Sequence, residues 1–109
     1  MTPAPDDPVW AVVAFDLPVR TAAMRRDANR YRTHLRHLGF SRIQLSVYAK
    51  YLINGAGFAW IARQVAEPIP PEGLVRMIPV PDGAWGRSVV IVGKKRLDTE
   101  PPPEQLAIF

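Results

Sequence analysis

The chain has 109 residues, no cysteine and a formal charge of +4. That length bounds it to one domain with a modest core, to which a second copy would add useful burial. The missing cysteines exclude disulfides, thiolate zinc sites and a cysteine nucleophile. No stretch approaches the length of apolar sequence that spans a bilayer, and the acidic, proline-rich start does not read as a signal peptide; the expected setting is the cytoplasm, with no membrane association.

Charge is unevenly placed. Leu17 to Lys50 holds seven Arg and one Lys against the single acid Asp27. Planar, forked guanidinium donors suit phosphates, so this segment points to an anionic partner such as nucleic acid. A composition bias towards Arg explains the same numbers about as well, and only the placement of the side chains separates the two readings.

Residues 1–8 form a flexible lead with no periodicity. Val12 to Pro18, Val-Val-Ala-Phe-Asp-Leu-Pro, reads as a buried strand that Trp10 and Ala11 extend backwards and Pro18 stops, leaving Asp16 at its tip. Thr21 is a suitable N-cap for a helix whose Met24, Ala28, Tyr31, Leu35 and Leu38 make one apolar stripe, ended by Gly39. Arg25, Arg32 and Arg36 fall on one flank of that stripe, and Arg26, Arg30 and His37 on the other. His34 and His37 lack a nearby acid and read as surface histidines rather than metal ligands.

Ser41 to Leu52 alternates Ile43, Leu45, Val47 and Ala49 against Arg42, Gln44, Ser46, Tyr48 and Lys50, a half-covered strand long enough to break near Gln44 to Ser46. Asn54 to Gly57 forms a loop that opens a second helix with Phe58, Ile61, Ala62 and Val65 on one face, ending before Pro68. Leu74 to Val80 is a further strand with Pro79 at its edge, followed by a turn at Pro81-Asp82-Gly83, an irregular link at Trp85-Gly86 and a last apolar strand over Ser88 to Val92. Lys94, Lys95 and Arg96 then place three cations in a row, and Pro101 to Pro103 makes a stiff spacer. Leu106, Ala107, Ile108 and Phe109 are too apolar for a free tail and read as a strand added to a sheet edge, of this chain or of a second copy.

The order strand, helix, split strand, helix, strand is β-α-β-β-α-β: an α+β ferredoxin-like sandwich over residues 9–93, with a C-terminal extension over residues 94–109 that carries an extra strand. Two helices cover one sheet face. A second copy packed on the other would cover it and bring the two Asp16 tips together if the axis passes there.

Val13-Ala14-Phe15-Asp16-Leu17-Pro18, Tyr31-Arg32-Thr33-His34-Leu35 running into Gly39-Phe40, Ile43-Gln44-Leu45-Ser46-Val47-Tyr48, Pro71-Glu72-Gly73, and the closing Gly93-Lys94-Lys95 with Gln105 to Phe109 resemble, in that order, the small CRISPR-associated Cas-two proteins, most closely those of type II systems. The resemblance covers nearly everything from Trp10 onward. It implies a ferredoxin-like homodimer whose C-terminal strand, with Leu106, Ala107, Ile108 and Phe109, crosses to the partner's sheet. It also implies assembly with the Cas-one integrase, the Cas-two dimer bridging two Cas-one dimers and holding incoming double-stranded DNA for spacer acquisition. Arg25, Arg32, Arg36, Lys94, Lys95 and Arg96 are then the expected phosphate contacts. Members are also described as metal-dependent nucleases acting on RNA or DNA, with the strand-one Asp, here Asp16, as the magnesium ligand and catalytic residue; Ser46 matches the Ser that lies near the dimer centre.

One carboxylate is a thin magnesium site, because magnesium takes six oxygens, often one or two carboxylates plus waters or phosphates. Two Asp16 side chains across a dimer axis would supply that minimum, and their mutual repulsion would make metal binding pH-dependent. The competing reading has Asp16 accepting backbone hydrogen bonds in the turn before the helix. So sparse a catalytic apparatus favours a structural DNA-binding subunit over a stand-alone magnesium-dependent endonuclease.

Overall fold

The structure is a computed structural model that describes residues 6–93. Its elements run β1 (Val9–Asp16), α1 (Ala22–His37), β2 (Ser41–Gln44), β3 (Val47–Leu52), a single 3₁₀ turn (Gly55–Gly57), α2 (Phe58–Ala66), β4 (Leu74–Pro81) and α3 (Asp82–Gly86). The four strands form an antiparallel sheet in the order β2-β3-β1-β4. The first six strands and helices follow the β-α-β-β-α-β order read from the sequence, so the α+β ferredoxin-like architecture stands.

Local chemistry sets most boundaries. The Thr21 hydroxyl caps α1 by accepting from the Met24 N–H at 3.0 Å, satisfying a donor the helix cannot. At the other end Gly39 takes a φ of 95°, left-handed backbone that costs a glycine little. A Cβ there would also collide with the Lys50 ammonium, which β3 brings to this helix end. The long central strand divides where expected: β2 stops at Gln44, the register shifts between Arg42 and Gln44, and β3 restarts at Val47.

Antiparallel pairing fixes which side chains share a face. Opposite Val13 stands Tyr48, and opposite Ala11 stands Lys50, so these point with Val9 and Phe15 towards the helices. There Ala11, Val13, Phe15 and Tyr48 meet Tyr31 and Leu35 of α1, Phe40, and Ile61 and Val65 of α2 in one buried cluster. Burying that much apolar and aromatic area is the main stabilising term. Tyr48 is fully buried, whereas the alternation had grouped it with the polar set. The ring is large enough to fill core space, and Lys50 can join that face because its long stem carries the charge out towards Gly39. The apolar set Val47 and Ala49 lies instead on the face away from α1 and α2, with Trp10, Val12, Ala14 and Asp16 of β1 and Leu74, Arg76, Ile78 and Val80 of β4.

Two expectations for the chain after β4 fail. Asp82 to Gly86 is the short helix α3 rather than a turn and an irregular link. It folds back so that Trp85 stacks on Trp10 at 4.8 Å, while Trp10 meets Tyr51 edge-on and donates its indole N–H to Asp82 Oδ1 at 2.9 Å. Ser88 to Val92 is not a strand of the sheet: Val89, Val90 and Ile91 are 79, 75 and 82% exposed. Both edges of β1 are already taken by β3 and β4, and the outer edge of β4 carries Pro79 and Pro81, which lack the N–H a further strand needs.

Candidate functional site

β1, β3 and β4 converge at one end of the sheet, where β1 finishes and the other two begin. Phe15 N–H donates to the Ser46 carbonyl at 3.1 Å, fixing the β2–β3 turn against the tip of β1. Between them opens a concavity of about 340 Å³ floored by Ala14 and Val47 and bordered by Asp16, Ser46, Leu74 and Arg76. Asp16 is exposed, and its side chain has no hydrogen-bond or ion-pair partner among the described residues. The turn role considered for it, accepting backbone N–H groups, is therefore not what holds it. Its carboxylate is free to bind a cation.

Whether a magnesium ion suits these residues depends on the donors present. Among the described residues no group of three or more His, Cys, Asp or Glu side chains is placed to hold a metal. One chain thus offers the Asp16 carboxylate alone, with Ser46 lining the same concavity. That fits magnesium only in its usual sparse mode, in which waters and substrate phosphate oxygens, or a second carboxylate from another copy, complete the octahedron.

A second cavity, about 380 Å³, lies between α1 and Pro68 to Pro71. Its polar groups are already engaged. Tyr31 donates to the Val65 carbonyl at 2.8 Å, and burial pushes its phenol up to about 12. His34 Nε2 lies 2.9 Å from the Gln64 carbonyl and so carries the proton, tying α1 to α2; His34 is a half-buried structural group rather than a surface one. Arg30 faces Asp27 at 3.7 Å in the local pair expected of that acid.

The arginines of α1 differ among themselves. Arg36 is exposed without a partner among the described residues, as is Arg26 on the opposite flank. Arg25 is exposed and donates to the Val19 carbonyl at 3.2 Å, an anchoring that leaves its other donors to solvent. Arg32 turns inward: its guanidinium sits 5.8 Å from the Phe15 ring centre and donates to Asn29, with Nε buried. Arg20, before the helix, bonds both oxygens of Glu72 at 3.1 and 3.3 Å and fastens the β1–α1 loop to the turn before β4. Lys94, Lys95, Arg96 and the tail residues Leu106, Ala107, Ile108 and Phe109 lie outside the described residues.

Arg76 escaped the reading of the sequence as a functional residue, since an Arg in an alternating strand looks like any solvent-facing position. Only the β1–β4 register, pairing Ala14 with Arg76 and Asp16 with Leu74, shows that it shares the concavity with Asp16.

Residues 9–88 match the family model described as CRISPR associated protein Cas2, the Cas-two family. The chain is 34% identical over 101 residues to the "CRISPR-associated endoribonuclease Cas2" of Parvibaculum lavamentivorans, covering 93% of this chain and 100% of that protein. Similar proteins of the same name occur in Paracidovorax avenae, 34% identical with 93 and 94% of the two chains covered, and in Flavobacterium psychrophilum, 29% identical with 93 and 88% covered. With the ferredoxin-like sheet, the acid at the tip of β1 and a family match over most of its length, this chain belongs to the CRISPR-associated Cas2 family.

Proposed function

We propose that the chain is the nucleic-acid-holding subunit of a CRISPR adaptation complex: a cytoplasmic homodimer that bridges Cas-one integrase dimers and grips incoming double-stranded DNA through its backbone. The observation that carries this reading is the exposed face of α1, where Arg25, Arg26 and Arg36 project to solvent and the helix's single acid, Asp27, is occupied by Arg30. Solvent-exposed guanidinium groups along a rigid helix make an electrostatic footprint that neutralises phosphates without reading bases. The sheet face away from α1 and α2 supports the homodimer: Leu74 and Ile78 are 60 and 39% exposed there, and a second sheet packed on it would bury them. No helix among the described residues is long and apolar enough to cross a membrane.

A second reading, magnesium-dependent phosphodiester hydrolysis of RNA or DNA, is favoured by the free Asp16 carboxylate in an open concavity and by the name the relatives carry. Asp16, with its counterpart in a second copy, would hold the ion, which when bound supplies a Lewis acid and a more acidic water. This chain's own residues would orient: Asp16 would fix the cation at the strand tip, where the concavity it borders lies at the end of the sheet.

The variant Asp16→Ala separates the two readings. With the structural role dominant, spacer acquisition continues in cells carrying this variant while any cleavage in vitro is lost. Abolished acquisition with intact Cas-one binding would make the carboxylate essential and reverse the order of the two readings.

A further inference from the structure

Glu72 stands in backbone that a side chain disfavours. It takes the third place of the turn Pro70-Pro71-Glu72-Gly73, closed by the Gly73 N–H donating to the Pro70 carbonyl at 3.0 Å, and its φ is 66°. That place calls for a positive φ and usually holds Gly or Asn, so a glutamate there is strained. It is the one non-glycine residue with positive φ among the described residues. Its side chain is held from outside the turn: a single guanidinium nitrogen of Arg20, Nη2, donates to both carboxylate oxygens at 3.1 and 3.3 Å. The turn itself is pressed on the loop that carries Arg20, since a Cβ on Gly73 would come within 3.0 Å of the Leu17 side chain.

Arg20 lies where the arginines of α1 begin. It precedes the Thr21 cap, and Arg25 reaches back to the neighbouring Val19 carbonyl at 3.2 Å. The entrance to α1 thus carries one guanidinium with donors left to solvent and another engaged by a carboxylate. Glu72 shares a cavity of about 130 Å³ with Met24 and Asp27 of α1, which puts the pair on the helix layer and off the sheet face given to a second copy. Both side chains are more than half exposed, and a pair so wetted and joined through one nitrogen is weak. A phosphodiester can open it, because it offers two oxygens to the planar fork and comes with neighbouring phosphates that Arg25 and Arg36 engage at the same time.

We infer that Glu72 is an intramolecular competitor for nucleic-acid phosphate: it occupies Arg20 in the free chain and yields it to the backbone when nucleic acid reaches α1, so that affinity stays below what the arginines alone would give. The inference rests on the nucleic-acid reading above and adds the group that limits it. The strained backbone fits this role, since glycine would make the turn without strain and leave Arg20 uncovered.

The test uses the full chain and a fluorescently labelled DNA duplex, with affinity read by anisotropy and the fold followed by thermal melting. Glu72→Gln, which removes the charge and keeps the shape, should tighten binding about threefold, the scale of one exposed ion pair. Glu72→Gly should tighten it equally and melt no lower than Glu72→Gln, because glycine suits the backbone at this place. Made on top of Arg20→Ala, neither change should alter affinity, since the carboxylate then has no guanidinium to withhold. Equal tightening with and without Arg20 would overturn the inference and leave Glu72 as one more negative charge near the duplex. Unchanged or weaker binding by Glu72→Gln would overturn it too, and in both cases the nucleic-acid reading survives. Absence of binding by the wild type itself would overturn both.

Discussion

The two faces of the sheet obey different rules although they are built from alternate residues of the same strands. The helix-covered face, with Ala11, Val13, Phe15 and Tyr48, is closed: its neighbours on α1 and α2 are buried, and Tyr31 and His34 find backbone carbonyls on α2. The other face leaves Leu74 and Ile78 half uncovered, and the side chains of Asp16 and Arg76 on it have no partner among the described residues. Stability therefore resides on the first face, and recognition has room only on the second and on the outer arginines of α1.

Truncation on the closed face should be the most damaging change. Leu35 is wholly buried in the core, so Leu35→Ala is expected to cost about 3 kcal/mol in a urea titration. A loss below about 1 kcal/mol would mean that α1 is not seated as described. The open face should respond in the opposite sense. Ile78→Glu should leave the melting of the fold nearly unchanged while weakening self-association at least tenfold in sedimentation equilibrium, about the effect of placing a charge in an apolar interface. An unaltered dimer would assign this face to something other than a second copy.

A smaller effect comes from Tyr31, whose phenol titrates at about 12 in the fold against an ordinary value of 10.0. Between those values the unfolded chain releases the proton and the folded chain keeps it, so stability falls as pH rises through that window. Tyr31→Phe should lose about 1 kcal/mol near neutral pH with the Val65 hydrogen bond, and should also flatten this alkaline decline. Smallest of all is the tie between the β1–α1 loop and the turn before β4. The Arg20 and Glu72 side chains are 65 and 59% exposed, and Arg20→Ala should shift stability by less than about 1 kcal/mol.

Much of this was legible in the residues themselves. Periods of 3.6 and 2, a Thr cap and a glycine stop locate α1, β2, β3 and α2, because these signals act over a few residues and owe nothing to the rest of the fold. Asp16 was legible as a strand-tip acid for the same local reason. What the sequence could not settle was which alternating set faces the helices. Tyr48 and Lys50 look polar by type, yet packing volume and a long stem place them with the core. Nor could spacing show that α3 returns to stack Trp85 on Trp10, or that Arg76 comes alongside Asp16, since both depend on contacts far apart in the chain. Ser88 to Val92 has the composition of a strand, but the free edge of the strand that precedes it, β4, carries Pro79 and Pro81, which is a property of neighbours rather than of the segment.

The central claim, that the exposed arginines of α1 hold nucleic-acid phosphates, is tested most directly by the salt dependence of duplex DNA binding. Each lost phosphate contact lowers the slope of log K against log salt by about 0.9. Replacing Arg25 and Arg36 together by Ala should therefore reduce the slope by nearly two for each chain in contact with the duplex and weaken binding alike on duplexes of unrelated sequence. A slope unchanged from the wild type would contradict the account and return these arginines to the role of a solvated helix edge.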